Sequence, residues 1–140
     1  MTDYRKVFID TAPFIYYLER NPQYFDKSRV FFENCYKNRI EMLTSTITVE
    51  EYFVYPYRSG NMELIRNFEN FVSKIGIRII NIDKRIATQA AMVRAEFKDF
   101  KGMDALQIGT AIESGCDLFL TNDKQLRQEK KIRCVTLEDL

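Results

Sequence analysis

The amino-acid sequence alternates between short apolar runs and longer segments in which apolar residues recur every three or four positions. Short runs rich in β-branched and aromatic residues are typical of strands, and the longer spacing is typical of amphipathic helices. The apolar runs predict five strands, at residues 6–10, 41–45, 77–82, 116–121 and 132–137.

The segments between these strands have the features of helices. Proline in a first turn, an aspartate cap and a glycine after the last turn mark several of their ends. The predicted helices are one with Pro13 in its first turn, one that Pro22 begins, one from about Thr48 to Pro56 or Gly60, residues 61–75, one that Asp83 caps, residues 103–114 and a short one within 123–130. Strands that alternate with helices favour a mainly parallel sheet of about five strands, flanked by helices on both faces. The prediction is an α/β fold in a single domain, residues 1–140.

Composition places the chain among ordinary globular proteins, with 46% apolar and 29% charged residues. No apolar stretch approaches the roughly 18 residues that span a bilayer, and the opening MTDYRKVFID lacks the layout of a secretory signal. The three cysteines are odd in number and share no metal-ligand spacing. These features predict a cytoplasmic protein without a membrane partner.

Two absences narrow the chemistry. The sequence contains no histidine, which excludes a histidine triad, a zinc–histidine site and an imidazole general base. The glycine-rich motifs that cradle phosphates, GxxxxGKS/T and GxGxxG, do not occur in the sequence. The net charge of +1 neither requires nor excludes a nucleic-acid partner, because a local patch matters more than the total. Carboxylates are therefore the expected functional groups.

Two aspartates stand where predicted strands end. Asp10 closes the first strand, and Asp123 follows the fourth. Each one alone also fits a helix cap or a turn residue. Because parallel strands end at one edge of a sheet, and open α/β sheets bind ligands there, the two aspartates together indicate a site.

Two further acidic positions are candidates for the same site. In a helix over 103–114, Asp104 shares the apolar face with Ile108, unless Asp104 is only the N-cap of that helix. A carboxylate that points inward is normally paired or bound to a metal. On the helix after the second strand, spacing does not separate Glu51 from Glu50.

A pocket of acids without histidine or cysteine predicts a hard divalent cation, Mg²⁺ or Mn²⁺, rather than zinc. Several carboxylates in contact cannot all ionise without a cation, because like charges raise one another's pKa. A divalent ion also orients phosphate and lowers the pKa of bound water, which suits phosphodiester hydrolysis.

The segments that contain these acids resemble those of the PIN-domain ribonucleases, in particular the small VapC-type toxins. VFIDTAPFIYYLE resembles the family's opening strand and acid, and TSTITVEEYFVYPYRSG resembles its second block. The most specific match is KGMDALQIGTAIESGCDLFLTND, in which a D-A-L-Q-I-G-T-A helix precedes L-x-T-N-D. The similarity extends over essentially the whole chain and includes the order of strands and helices.

The resemblance implies four catalytic and metal-binding acids, which are Asp10, Glu51, Asp104 and Asp123. It selects Glu51 over Glu50, because the family's glutamate stands six residues after a serine, here Ser45, and five before a proline, here Pro56. All four positions carry an acid, so the resemblance implies an active enzyme.

Further residues are expected to support the acids or to contact RNA. The resemblance assigns supporting hydroxyl groups to Thr11 and Thr121, and Asn122 is a further candidate polar contact. Cations near the third and fourth acids are candidates to steer phosphates, or are ordinary solvated charges; they are Lys98, Lys101, Lys124 and Arg127. Three tyrosines are candidates to stack on bases, to contact a protein partner or to pack in the core; they are Tyr52, Tyr55 and Tyr57.

The resemblance implies a Mg²⁺- or Mn²⁺-dependent endoribonuclease that cleaves RNA, forms homodimers and is blocked by an antitoxin protein. Two alternatives stay open at this point. One is a PIN-like nuclease of RNA processing that has no antitoxin, and the other is a non-catalytic binding module with an acidic ion site. Nothing in the sequence names the RNA.

Overall fold

A computed structural model describes residues 3–140, in which the chain forms one five-stranded sheet. The strands are β1 (Lys6–Ile9), β2 (Glu41–Ser45), β3 (Arg78–Ile80), β4 (Leu118–Thr121) and β5 (Arg133–Thr136). All neighbours run parallel, in the order β3-β2-β1-β4-β5. The predicted α/β fold with a parallel sheet of about five strands is confirmed.

Six α-helices connect the strands within residues 3–140. They are α1 (Thr11–Leu18), α2 (Phe25–Lys37), α3 (Thr46–Ser59), α4 (Met62–Ile75), α5 (Lys84–Glu96) and α6 (Gly102–Glu113). Two short 3₁₀ helices, Lys124–Gln128 and Leu137–Asp139, follow β4 and β5. Throughout the described residues, every helix is too short or too polar to cross a bilayer.

Several predicted boundaries are wrong by a few residues. The second helix begins at Phe25 rather than Pro22, because Asn21 Oδ1 accepts hydrogen bonds from two backbone amides and forms a turn before it. The third begins at Thr46 rather than Thr48 and retains Pro56 in its last turn. The predicted helix within 123–130 is a 3₁₀ helix of five residues.

Alternate side chains of the buried strands enter two separate apolar clusters. Val7 and Ile9 pack in the cluster that receives side chains from α1, α2, α3 and α4. Phe8 packs in the other cluster, with side chains of α5 and α6. Successive residues of a strand point to opposite faces, so the two helix groups cover opposite faces of the sheet, as the sequence predicted.

Gly109 allows α6 to lie unusually close to α5. A Cβ atom at this position would stand 3.0 Å from both the Ala90 amide nitrogen and the Ile86 carbonyl oxygen. Backbone atoms cannot move aside as a flexible side chain can, so only glycine fits this contact. The close contact fixes the position of α6, which carries Asp104 in its first turn.

The strand order creates a crevice at the carboxyl edge of the sheet. The chain proceeds from β1 to β2 and β3 on one side, and then crosses to β4 and β5 on the other. The connections after β1 and β4 therefore leave in different directions, and open α/β sheets bind ligands at such a switch point. Asp10 and Asp123 stand in these two connections.

Candidate active site

Asp10 lies at the centre of the crevice, directly after β1. Its backbone amide donates to the Leu120 carbonyl (2.9 Å), which extends the pairing of β1 with β4. Its side chain caps α1, since Oδ1 accepts from the Thr11 amide at 2.9 Å. Burial raises the pKa of Asp10, the hydrogen bonds from Thr11, Thr121 and Gln107 lower it, and the Asp123 charge raises it further. Asp10 therefore caps a helix and also belongs to a group of interacting acids.

Thr121, the last residue of β4, connects two of the predicted acids. Its hydroxyl donates to Asp10 Oδ2 at 2.8 Å and accepts from the Asp123 amide at 3.1 Å. Asp123 is exposed, and its Oδ1 accepts from the Gln125 amide at 3.0 Å, so it caps the 3₁₀ helix after β4. The cap anticipated from the sequence is present, beside the charge interaction with Asp10.

Asp104 is the acid with the fewest contacts. It lies in the first turn of α6, whose N-cap is Lys101, so the alternative that Asp104 is the N-cap is wrong. Burial and the charges of Asp10, Asp123 and Glu51 raise the pKa of Asp104 to about 6, against a lowering by Lys101. Among the described residues, none donates a hydrogen bond to this carboxyl group. Its oxygens remain available to a ligand.

Glu51 projects from α3 towards the same crevice. The Thr11 hydroxyl donates to Glu51 Oε1 at 2.5 Å, which joins the start of α1 to α3. Burial raises the pKa of Glu51, the Thr11 hydrogen bond lowers it, and the Asp10 charge raises it. Both Glu51 and Glu50 are exposed, but Glu50 forms no hydrogen bond with Thr11. The geometry therefore favours Glu51.

The donor set suits a hard divalent cation, because it consists of carboxylates whose charges repel one another. In residues 3–140, however, no group of three or more acidic or cysteine side chains is close enough together to hold an ion as it stands. Glu51 is turned to Thr11 and Asp123 to the Gln125 amide. An ion held by all four acids would therefore require these two side chains to turn away from their present partners.

Gln107 is a component of the site that the sequence analysis missed. It is 1% exposed on α6, and its Nε2 donates to Asp10 Oδ1 at 3.2 Å and to Thr48 Oγ1 at 2.8 Å. Its Oε1 accepts from the Ser45 hydroxyl. The available signal was its place three residues after Asp104, on the face of α6 that packs inward.

The four candidate RNA-binding cations divide into two groups. Lys98 and Lys101 are exposed in the connection between α5 and α6, Lys101 acts on Asp104, and neither lysine forms an ion pair within residues 3–140. Lys124 pairs with Glu138 at 2.9 Å, and Arg127 pairs with Asp139 at 3.2 Å. The second group would have to exchange a carboxylate for a phosphate in order to bind RNA.

The remaining polar and aromatic candidates are Asn122 and three tyrosines. Asn122 Nδ2 donates to the Tyr16 hydroxyl at 2.9 Å and forms no hydrogen bond with the four acids. Tyr52 is 2% exposed in the core, whereas Tyr55 and Tyr57 are 61% and 64% exposed on α3. Of the three tyrosines, only the latter two can contact a partner or a base.

Comparison with known families identifies the fold. Residues 7–131, most of the chain, match the model of the PIN domain. The chain belongs to the PIN domain family. No curated protein sequence matches it.

Solved structures share the PIN fold over nearly their full length. VapBC2 from Rickettsia felis, bound to a DNA fragment from its promoter, has 18% identity and a TM-score of 0.78, covering 94% of this chain and 98% of that chain. FitAcB from Neisseria gonorrhoeae has 16% identity and a TM-score of 0.73, covering 96% and 99%. VapC20 from Mycobacterium tuberculosis, described as a sarcin-ricin loop cleaving toxin, has 14% identity and a TM-score of 0.65, covering 91% and 98%. At these identities the likeness establishes the fold alone.

Proposed function

We propose that this PIN domain is a metal-dependent endoribonuclease. The observation that supports this best is the convergence of four acids at the switch point, where burial and mutual repulsion raise the pKa of Asp10, Glu51 and Asp104. Within residues 3–140, no lysine or arginine forms an ion pair with any of the four. Acids that lie in one crevice without a paired positive side chain favour the binding of a cation from solution.

The four acids would hold Mg²⁺ or Mn²⁺, which are the hard cations suited to carboxylate oxygens. When bound, such an ion lowers the pKa of water and screens the charge that develops on a phosphodiester. The chain itself contributes the placement of the ligands. Thr121 holds Asp10 and the Asp123 backbone, Thr11 holds Glu51, and Lys101 brings a positive charge near Asp104.

RNA is the proposed substrate because cations lie beside the acids. The unpaired Lys98 and Lys101 would attract the backbone phosphates from the α6 side. VapC20, with the same fold, is described as cleaving the sarcin-ricin loop, which is consistent with a folded or single-stranded RNA target. The surface around the crevice, rather than the acids, would select the RNA.

We propose further that the protein is the toxin of a toxin–antitoxin pair and is blocked by an antitoxin. A neighbour with the same fold from Klebsiella pneumoniae is described as a toxin–antitoxin complex, and VapC20 is described as a toxin. The exposed Tyr55 and Tyr57 offer apolar surface to an antitoxin or to a second copy in a homodimer.

Incubation of pure protein with mixed RNAs tests the enzymatic proposal. We expect cleavage with millimolar Mg²⁺ or Mn²⁺, none in EDTA, and recovery when the metal is restored. Because the ion binds only the folded state, it should also raise the melting temperature; a 100-fold excess over Kd corresponds to about 2.7 kcal/mol. A melting temperature indifferent to both ions, with no cleavage of any RNA, would favour the non-catalytic binding module.

A separate experiment distinguishes a toxin from a nuclease of RNA processing. Expression of the chain alone should arrest growth, and co-expression with the product of a small adjacent reading frame should restore it. Growth that is unaffected despite metal-dependent cleavage in vitro would favour the RNA-processing alternative.

Replacement of Asp123 by asparagine separates a helix cap from a metal ligand. Asparagine caps about as well as aspartate, so stability should change by less than about 0.5 kcal/mol. It lacks the charge that a hard cation requires. Mutation of a residue that only positions a metal ligand lowers metal affinity or activity by about 10–100-fold. We therefore expect the loss of a ligand itself to lower RNA cleavage by more than about 100-fold.

Asp83→Asn is the matched control for Asp123→Asn. Asp83 caps α5, with its Oδ1 accepting from the Ile86 amide at 2.9 Å, and it follows the edge strand β3 rather than β1 or β4. This variant should retain parental stability and parental cleavage. Full activity in Asp123→Asn would leave Asp123 as a cap and assign the metal to the other three acids.

A further inference from the structure

The hydrogen bonds to Asp10 leave it with few free lone pairs. Its Oδ1 accepts from the Thr11 amide at 2.9 Å and from Gln107 Nε2 at 3.2 Å, and its Oδ2 accepts from the Thr121 hydroxyl at 2.8 Å. A carboxylate offers about four acceptor sites, two on each oxygen. Three are occupied by donors, and the fourth belongs to Oδ2.

Gln107 is held too firmly to release Oδ1 easily. Both hydrogens of its amide are used, one by Asp10 and one by Thr48, and its oxygen accepts from the Ser45 hydroxyl. The reverse orientation of the amide would place its oxygen against the Asp10 carboxylate, which is repulsive. At 1% exposure, no water can replace any of these partners without a local rearrangement.

The chain of hydroxyl groups beneath Gln107 fixes the direction of each hydrogen bond. The Thr44 hydroxyl donates its single hydrogen to the Ile9 carbonyl at 2.8 Å. In its contact with the Thr48 hydroxyl, at 2.7 Å, Thr44 must therefore be the acceptor. The Thr48 hydroxyl, which thus donates to Thr44, accepts from Gln107. The Gln107 amide is therefore a donor at both of its N–H groups, and the Asp10 bond follows from this network.

We propose that Gln107 is a positioning residue that restricts Asp10 to a single ligating oxygen, Oδ2, and thereby favours Mg²⁺ and Mn²⁺ over Ca²⁺. The inference rests on the proposed metal-dependent function. Mg²⁺ demands a near-ideal octahedron at short distances, whereas Ca²⁺ accepts six to eight oxygens and often takes both oxygens of one carboxylate. An Asp10 that can offer only one oxygen suits the octahedral ion.

The binding of Mn²⁺ and Ca²⁺ to the parent protein, measured by calorimetry in the absence of RNA, is the first arm of the test. We expect tighter binding of Mn²⁺ than of Ca²⁺. Equal affinities would overturn the proposed selectivity. A parent protein that binds neither ion would instead overturn the metal site itself, and with it the proposed function.

Gln107→Leu is the second arm, because leucine fills much of the space and donates no hydrogen bond. With Oδ1 released, we expect Mn²⁺ affinity to fall by about 10- to 100-fold and Ca²⁺ affinity to fall less, so that the ratio shifts by about tenfold. Gln107→Met, which keeps the unbranched shape, replaces it if the leucine variant does not fold. An unchanged ratio in a folded variant would overturn the role of Gln107.

Thr48→Val is the matched control, since it removes one partner of Gln107 from the same buried network. The bond from Gln107 to Asp10 should remain, because the reversed amide would still place its oxygen against the Asp10 carboxylate. It should lose stability, as Gln107→Leu does, while its Mn²⁺ to Ca²⁺ ratio stays within about threefold of the parent value. An equal shift in both variants would mean that the ratio reports general loosening of the crevice, and would overturn a specific role for Gln107.

Discussion

Replacing Asp104 by asparagine is expected to stabilise the metal-free protein and, at the same time, to abolish its response to Mg²⁺. Burial and the charges of three other acids raise the pKa of Asp104 to about 6, and no hydrogen bond from the described residues offsets them. In EDTA at pH 7 the ionised carboxylate is therefore repelled in the folded state. Asparagine removes that charge and, with it, one ligand of the proposed cation.

The stabilisation should depend on pH in a defined direction. The folded protein binds the Asp104 proton more tightly than the unfolded chain, whose aspartates have their ordinary value of 3.8. Stability from this group is therefore present below about pH 4 and is lost as pH rises through 6. The rise in the pKa of Asp104 from 3.8 to about 6 limits the gain in stability of the asparagine variant to ~3 kcal/mol. Because solvent screens this partly exposed group, we expect a gain of roughly 1–2 kcal/mol.

Denaturant unfolding in EDTA, at several values between pH 4 and 7, measures this effect. The difference between Asp104→Asn and the parent should be near zero at the acid end and largest at pH 7. Glu69→Gln, on the exposed face of α4 and without an ion pair in the described chain, is the control for loss of one negative charge. If the difference in stability between Asp104→Asn and the parent did not grow from pH 4 to pH 7, the result would contradict the repulsion.

The sheet could be predicted from the sequence because its central strands are buried on both faces. Residues 7–9 of β1 and 118–120 of β4 are all apolar, and successive side chains pack into opposite clusters, so both runs are clear in the sequence. The edge strand β3 was predicted over six residues but pairs only over Arg78–Ile80. Its length depends on contact with β2 alone, which apolar content does not reveal.

The acids could be located for a similar reason, but their contacts could not. A polar residue directly after a buried strand is visible in the sequence, and Asp10 and Asp123 were identified in that way. The identity of the donors that hold Asp10 depends on how α6 crosses the sheet, which Gly109 permits through its close contact with α5. Gln107 was therefore overlooked, although it contacts Asp10 directly.

The ion pairs formed by the surface cations could not be predicted from the sequence either. Lys124 and Arg127 looked like free phosphate contacts because they follow Asp123 closely. In the structure, the 3₁₀ helix Leu137–Asp139 brings Glu138 and Asp139 to them. These acids are near in space only because β5 lies beside β4 in the sheet, so their role as RNA contacts stays a prediction.

Glu51→Gln is expected to abolish metal-dependent RNA cleavage, whereas Glu50→Gln should retain activity within a few-fold of the parent. Glu51 accepts from the Thr11 hydroxyl in the crevice, and its charge raises the pKa of Asp104, so it belongs to the same group of interacting acids. Glutamine can still accept from Thr11 and keeps the shape. The change therefore removes only the charge. A fall in RNA cleavage of more than about 100-fold would indicate that Glu51 is a metal ligand.

The adjacent glutamate makes this comparison unusually well controlled. Glu50 and Glu51 occupy the same helix, and glutamine has nearly the same helix propensity at either position, so the two variants differ mainly in which side chain reaches the crevice. Binding of Mn²⁺ measured without RNA should fall in Glu51→Gln and not in Glu50→Gln, which separates loss of the metal from loss of RNA affinity. If Glu50→Gln were the inactive variant, α3 would have to rotate to bring Glu50 to the metal. That rotation would break the bond between Thr11 and Glu51, so the helix orientation described above would not be the active one.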